Sequence, residues 1–266
     1  TATEIGQLST TQLGALNSTS IASLDGTQVG GLTATQIGAL SSTNLSALDE
    51  TQIGGLTATQ VGGLSATQLK NLSATDFAEI TATQIGGLTA TQVGALNATN
   101  FSSIDATTIA ALSATQMKGV TTTQIAGLSA TDAGEFTATQ IGALGTTQLQ
   151  ALSATNLSAL DETQIGGLTQ TQTSVLTATQ IKGLSETDIG EFADTQIGAF
   201  TQTQIGALSA TNFSSLSETQ IGALSATQIK GVTTTQLAGI SSTALGAFTA
   251  TAIGQLPTTQ RGAPNS

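Results

Sequence analysis

Cysteine, histidine, tryptophan and tyrosine are absent from the 266 residues, methionine occurs once and proline twice. Without imidazole, thiolate or phenol, the usual general bases, nucleophiles and soft metal ligands are missing, so disulfide scaffolds, zinc sites and most acid–base catalysis are excluded. Charge is also scarce: 5 Lys and Arg stand against 16 Asp and Glu, for a net charge of −11. A phosphate-binding face needs clustered Lys and Arg, so no nucleic-acid partner is expected. Long apolar runs are lacking too. Nothing approaches the roughly 18 to 20 residues of a membrane span, and no basic amphipathic segment could lie on anionic lipid, so no membrane insertion is expected. The excess of Thr, Ser, Gly, Ala and Gln would suit a disordered tract, but 38% hydrophobic residues set at fixed intervals do not.

Those intervals are the main content of the sequence. Cut from Thr1, the chain is an octapeptide written 33 times, TATEIGQL, STTQLGAL, NSTSIASL, DGTQVGGL and so on to PTTQRGAP, with two residues over. Position three is Thr in all 33 octads and position four is Gln in 21. Position one is Ser, Thr, Asp or Asn except at Gly145, Ala193 and Pro257. Positions five and eight carry large apolar residues, with Ala133, Thr173, Arg261 and Pro264 as the exceptions. The regular array therefore spans residues 1–256, or 32 octads, and 257–266 is a degenerate last octad and tail. Starting at Thr1 in repeat register, the chain reads as a mature product or an excised segment.

Each octad is a helix start signal. Ser, Thr, Asp or Asn followed three residues later by Gln, Glu or Asp makes a capping box, and the Leu before the cap with the Ile beyond it makes a hydrophobic staple. Residues two to eight of an octad are thus expected to form one helix of about two turns, ended when the next capping residue turns extended. Eight residues at 100° each overshoot two turns by about 80°, which would smear the apolar positions around one continuous helix. Two apolar side chains cannot offset the ordering of eight residues, so an octad needs neighbours and the array is a solenoid. Gly and Ala at positions six and seven would let successive coils approach.

The competing architecture is a β-solenoid, because Thr-x-Thr-x-Ile places three β-branched residues on one strand face. Apolar spacings of three and five residues argue against it. So does a longer period. Position four departs from Gln at Ser20, Asn44, Asp76, Asn100, Asp132, Asn156, Asp188, Asn212 and Ala244, separated by three and four octads in turn, with Glu4, Thr108 and Ala252 off this pattern. Such a stripe implies about 3.5 octads, or about 28 residues, per turn. The fold class expected is an all-α superhelix of short capped helices, one per octad, with the β-solenoid as alternative.

No catalytic, cofactor-binding or metal-binding residue is assigned and no cofactor is expected. The nine stripe residues are the candidate site, an assembly seam toward a neighbouring chain. Lys70, Lys118, Lys182 and Lys230 lie one or two octads before stripe positions and are candidate ion-pair partners across it. Asn44, Asn100, Asn156 and Asn212 each head an Asn-x-Ser triplet, which offers a glycan a place, though a Ser-rich chain generates such triplets by chance. Asp49 with Glu50 and Asp161 with Glu162 read as a cap plus a first-turn acid, with calcium as the lesser reading, since no Asp-x-Asp-x-Asp-Gly loop is present.

Over residues 1–256 the octad resembles the Thr-rich L-[TS]-x-x-Q-[IV]-x-x-L octads of large repetitive bacterial surface and adhesin-like proteins. That resemblance implies an exported structural element, extracellular or at the cell surface, forming a fibre, filament or stalk with other copies of itself and carrying no enzymatic activity. Thr-x-Thr also resembles the ice-binding face of β-helical antifreeze and ice-nucleation proteins, although their Tyr ladder is absent. It implies the alternative function, an ice- or glycan-binding array on a β-solenoid.

Overall fold

The computed structural model describes residues 1–256; the expected degenerate octad and tail at 257–266, with Pro257, Arg261 and Pro264, lie outside the described residues. Among the described residues there are thirty-two helices of four to six residues and no strand, from α1 (Ala2–Gly6) to α32 (Ala250–Gln255). The all-α reading therefore holds and the β-solenoid is set aside. The chain divides into two compact units, Thr1–Phe136 and Thr137–Ser266.

Each helix starts where the capping chemistry says it should. In α7 (Glu50–Gly54), Gln52 N–H donates to Asp49 Oδ1 at 2.9 Å and Asp49 N–H donates back to Gln52 Oε1 at 2.7 Å. The capping residue is extended, with φ −87° and ψ 173° there. Two orphan donors of the first turn are thereby satisfied within the octad. At Gly145 and Ala193 no side chain caps, but half of the box survives, as Ala193 N–H donates to Gln196 Oε1 at 2.9 Å. The helices are shorter than expected because the last residues tighten: Leu56 N–H donates to Ile53 O, three residues back, at 3.1 Å. No described residue has positive φ, so glycine does not stop these helices by a left-handed turn. The next extended cap does.

Positions five and eight face inward. In the first unit Ile37, Leu69 and Val93 are fully buried and Leu40 and Leu96 nearly so, and in the second Leu149, Ile181 and Ile205 are fully buried. Thr173 occupies a position-five site with no exposure; its hydroxyl donates to Thr169 O at 3.1 Å, which removes the penalty of burying it.

Helices three octads apart pack together. In the first unit α2 (Thr10–Gly14) packs on α5 (Ala34–Ala39) and α5 on α8 (Ala58–Val61); in the second, α20 (Ala154–Ser158) packs on α23 (Ala178–Lys182) and α23 on α26 (Gln202–Ala207). Glycine permits the closest of these approaches. A Cβ added at Gly38 would lie 2.3 Å from Gly63 O, and one at Gly119 would lie 2.0 Å from Ala90 O. Not every repeat glycine serves this purpose, since Gly54 and Gly190 would gain a Cβ into open space.

Candidate functional site

The position-four glutamine performs two tasks, and only the first is local. Its Oε1 accepts from the cap N–H of its own octad. Its Nε2 donates to backbone carbonyls of the preceding coil. In the first unit Gln68 Nε2 donates to Ile37 O at 2.8 Å and Leu40 O at 2.9 Å, and Gln124 Nε2 to Val93 O at 2.8 Å and Leu96 O at 2.9 Å. In the second unit Gln180 reaches Leu149 O and Leu152 O at 2.7 and 2.9 Å, and Gln236 reaches Ile205 O and Leu208 O at 2.7 and 2.9 Å. The amide thus joins the first turn of one helix to the orphan carbonyls ending another. The bonds to position eight span 28 residues, which is the 3.5-octad turn expected from the stripe. These glutamines are buried, Gln68 and Gln124 being 2% and 1% exposed. A buried amide needs all of its partners, and this one has them. Sequence reasoning assigned the glutamine to the cap and missed the link; its presence at two-thirds of octads, where Glu would cap as well, was the available signal.

The stripe residues occupy the same place with shorter side chains. Asn44, Asn100, Asn156 and Asn212 are buried at 6%, 1%, 3% and 3% exposure. Asn44 Nδ2 donates to Leu16 O at 2.9 Å, Asn100 Nδ2 to Leu72 O at 2.9 Å and Asn212 Nδ2 to Leu184 O at 2.7 Å. Each of these three keeps the bond to the preceding coil while its shorter arm gives up the box. These asparagines therefore point at a neighbouring coil of their own chain and present no side chain to another molecule. The nitrogen that a glycan would occupy is the one spent on that bond.

The aspartates reverse the polarity. A carboxylate cannot donate to a carbonyl, so at two of the three positions where Asp replaces Gln the preceding coil supplies a hydroxyl. Ser102, ending α13 (Ala98–Ser102), donates from Oγ to Asp132 Oδ2 in α17 (Ala130–Gly134), and Ser158, ending α20, donates to Asp188 Oδ2 in α24 (Glu186–Gly190). Burial opposes ionisation of Asp132, but hydrogen bonds from Ser102 and Ser129 outweigh it and hold the carboxyl below its usual range. Asp76 is half-buried and keeps only its box with Ser73. Ser20 is half-exposed, and Ala244 is buried with no polar group to offer. The structure stacks stripe octads on each other, α10 (Ala74–Ala78) against α13 and α24 against α27 (Ala210–Ser214).

Lys70, Lys118, Lys182 and Lys230 are exposed. Among the described residues no lysine pairs with a carboxylate; the ion pair found joins the α-amino group of Thr1 to Glu4 at 2.8 Å. Within their own chain the four lysines form no ion pair; the pairs expected of them are with a neighbouring chain.

Position seven of the Asp octads carries Glu79, Glu135 and Glu191, and the Oε2 of each is buried with no hydrogen-bond partner. Burial, then the charges of Asp76, Glu50 and Asp49, push the Glu79 carboxyl above its ordinary value. Burial with Asp132 and Asp105 does the same at Glu135, and burial with Asp188, Asp161 and Glu162 at Glu191. No group of acids that could hold a metal ion is found among the described residues, and none of their helices is long and apolar enough to cross a membrane.

Thr at position three, the one invariant residue of the octad, is exposed in every octad from Thr3 to Thr243.

The ALTTAQ repeat family matches residues 5–42 of this chain, inside the first unit. No curated protein matches it. The chain is a repeat protein of stacked short helices, with a stretch similar to ALTTAQ repeats.

Proposed function

We propose that the chain is a non-enzymatic structural solenoid that builds an extracellular bacterial fibre, filament or adhesin-type stalk by associating with copies of itself. The observation that carries this reading is the amide ladder. A glutamine found in 21 of the 33 octads is spent on joining one coil to the next, and a ladder running in one direction can be extended coil by coil without closing. Lateral contacts in such an assembly fall to outward groups, namely the position-three threonines and the four unpaired lysines, because the stripe asparagines face inward. Sedimentation of the purified chain across a hundredfold concentration range, with negative-stain microscopy, tests it. Growing filaments are the expected result, and a monomer at every concentration and ionic strength refutes it. Labelling of intact cells with antibody tests the surface location.

A second reading rests on the exposed threonine of every octad: an array binding ice or a surface glycan on a helical scaffold. Ice-growth inhibition and glycan-array binding, both abolished by Thr→Val at several position-three sites, would favour it over the first.

A further inference from the structure

Acids at both position four and position seven occur in three octads, Asp76 with Glu79, Asp132 with Glu135 and Asp188 with Glu191, each pair seven octads, or two turns, from the next. No other octad has an acid at position seven. The three junctions share one defect, a glutamate oxygen cut off from water and from any donor.

The charges that bear on these three carboxyls all come from other acids. Glu79 has Asp76 on its own helix, α10, and Asp49 and Glu50 at the start of α7 in the coil before. Within its unit Glu135 has Asp132 and, at the cap of α14 (Ala106–Ala110), Asp105. Glu191 has Asp188 and, at the start of α21 (Glu162–Gly166), Asp161 and Glu162. The helices packed on the other side, α13 on α10 and α27 on α24, contain no titratable side chain, and no lysine reaches a carboxylate here. Each glutamate is half-buried, and in its ionised form this one oxygen has neither solvent nor a donor. Protonation removes the charge and supplies an O–H where the other titratable groups bearing on the site are acids.

We propose that Glu79, Glu135 and Glu191 form proton-operated locks between successive coils, loose at neutral pH and closed when a proton from solvent occupies the orphaned oxygen. The direction of their titration agrees. All three are shifted upward, so between the unfolded and folded values the folded chain holds more protons than the unfolded one. Stability therefore falls as pH rises through that window, just above the ordinary glutamate range, and returns on acidification. The inference concerns coil stacking within one chain and stands whether or not copies associate.

The test is thermal unfolding of the full chain between pH 7.5 and pH 5 at constant ionic strength. Wild-type Tm should rise on acidification. The triple variant Glu79→Gln, Glu135→Gln, Glu191→Gln should already melt higher at pH 7.5 and lose most of the pH dependence. A control with the same charge removed from exposed sites, Glu186→Gln, Glu218→Gln and Asp194→Asn, should keep it. Carboxyl carbon NMR of the wild type gives a readout independent of the variants: three of the eight glutamates should titrate above the rest. Eight glutamates titrating together, a triple variant with wild-type pH dependence, or a control that flattens it equally would each overturn the proposal. If the triple variant does not fold, the wild-type NMR titration and Glu191→Gln alone decide.

Discussion

Replacing Gln68 by Ala separates the two tasks of the repeat glutamine. The substitution removes the acceptor for Ser65 N–H, at 2.7 Å, and the donor to Ile37 O and Leu40 O. Ile37 O retains the Leu40 N–H at 3.2 Å, and Ser65 is exposed, so water replaces its lost partner. Leu40, 4% exposed, has no such recourse, and its carbonyl is orphaned in the interior. An orphaned buried acceptor costs about 1–3 kcal/mol and the lost box about 0.5–1 kcal/mol, so the expected loss is about 2–4 kcal/mol. Gln12 supplies the internal control. It makes the same box with Ser9, at 2.8 and 3.2 Å, but is exposed and donates to no other coil, so Gln12→Ala should cost only about 0.5–1 kcal/mol. Urea unfolding gives the two losses, and hydrogen exchange locates them: protection should fall in α5 and α9 (Ala66–Asn71) for Gln68→Ala and only near α2 for Gln12→Ala. Equal losses would show that the glutamine is only a cap and that the coil-to-coil bonds contribute nothing measurable. Gln68→Glu sharpens the contrast, because it keeps the shape but sets a carboxylate against two carbonyl oxygens. It should be less stable than Gln68→Ala at neutral pH and recover as protonation restores a donor.

Two further outcomes follow from the same geometry. Gly119→Ala should destabilise by about 1–3 kcal/mol, since the new Cβ would lie 2.0 Å from Ala90 O, whereas Gly54→Ala and Gly190→Ala, into open space, should stabilise by about 0.5–1 kcal/mol; denaturant midpoints distinguish them, and a common sign would contradict the packing. Ser102→Ala should cost about 1–2 kcal/mol at neutral pH and raise the Asp132 pKa toward its ordinary value. Because the wild-type carboxyl is depressed, the stability it adds is present above the unfolded value and fades as pH falls through the folded one, so mutant and wild type should converge in acid.

How far the sequence reached is clearest at position four. The cap, the short helix, the inward Ile and Leu and the extended break were legible, because each depends on groups within about four residues and recurs in every octad. The length of the superhelical turn was legible too, since departures from Gln at three and four octads alternately mark a period that local folding does not require. Helix length was overestimated because a three-residue bond closes the last turn early, a choice made by packing and not by composition. The direction of the Gln68 amide, the inward burial of Asn44 and its equivalents, the serine that answers Asp132 and the isolation of Glu79 Oε2 were not legible. Each depends on which backbone atoms of the previous coil lie opposite a side chain, and that is set by how tightly coils stack where Gly38 meets Gly63 or Gly119 meets Ala90. A side chain's reach is local, so the sequence by itself determined the elements and their period. The partners one coil away exist only once the coils are stacked, so the tertiary structure alone decided which polar groups became links and which were left exposed or unsatisfied.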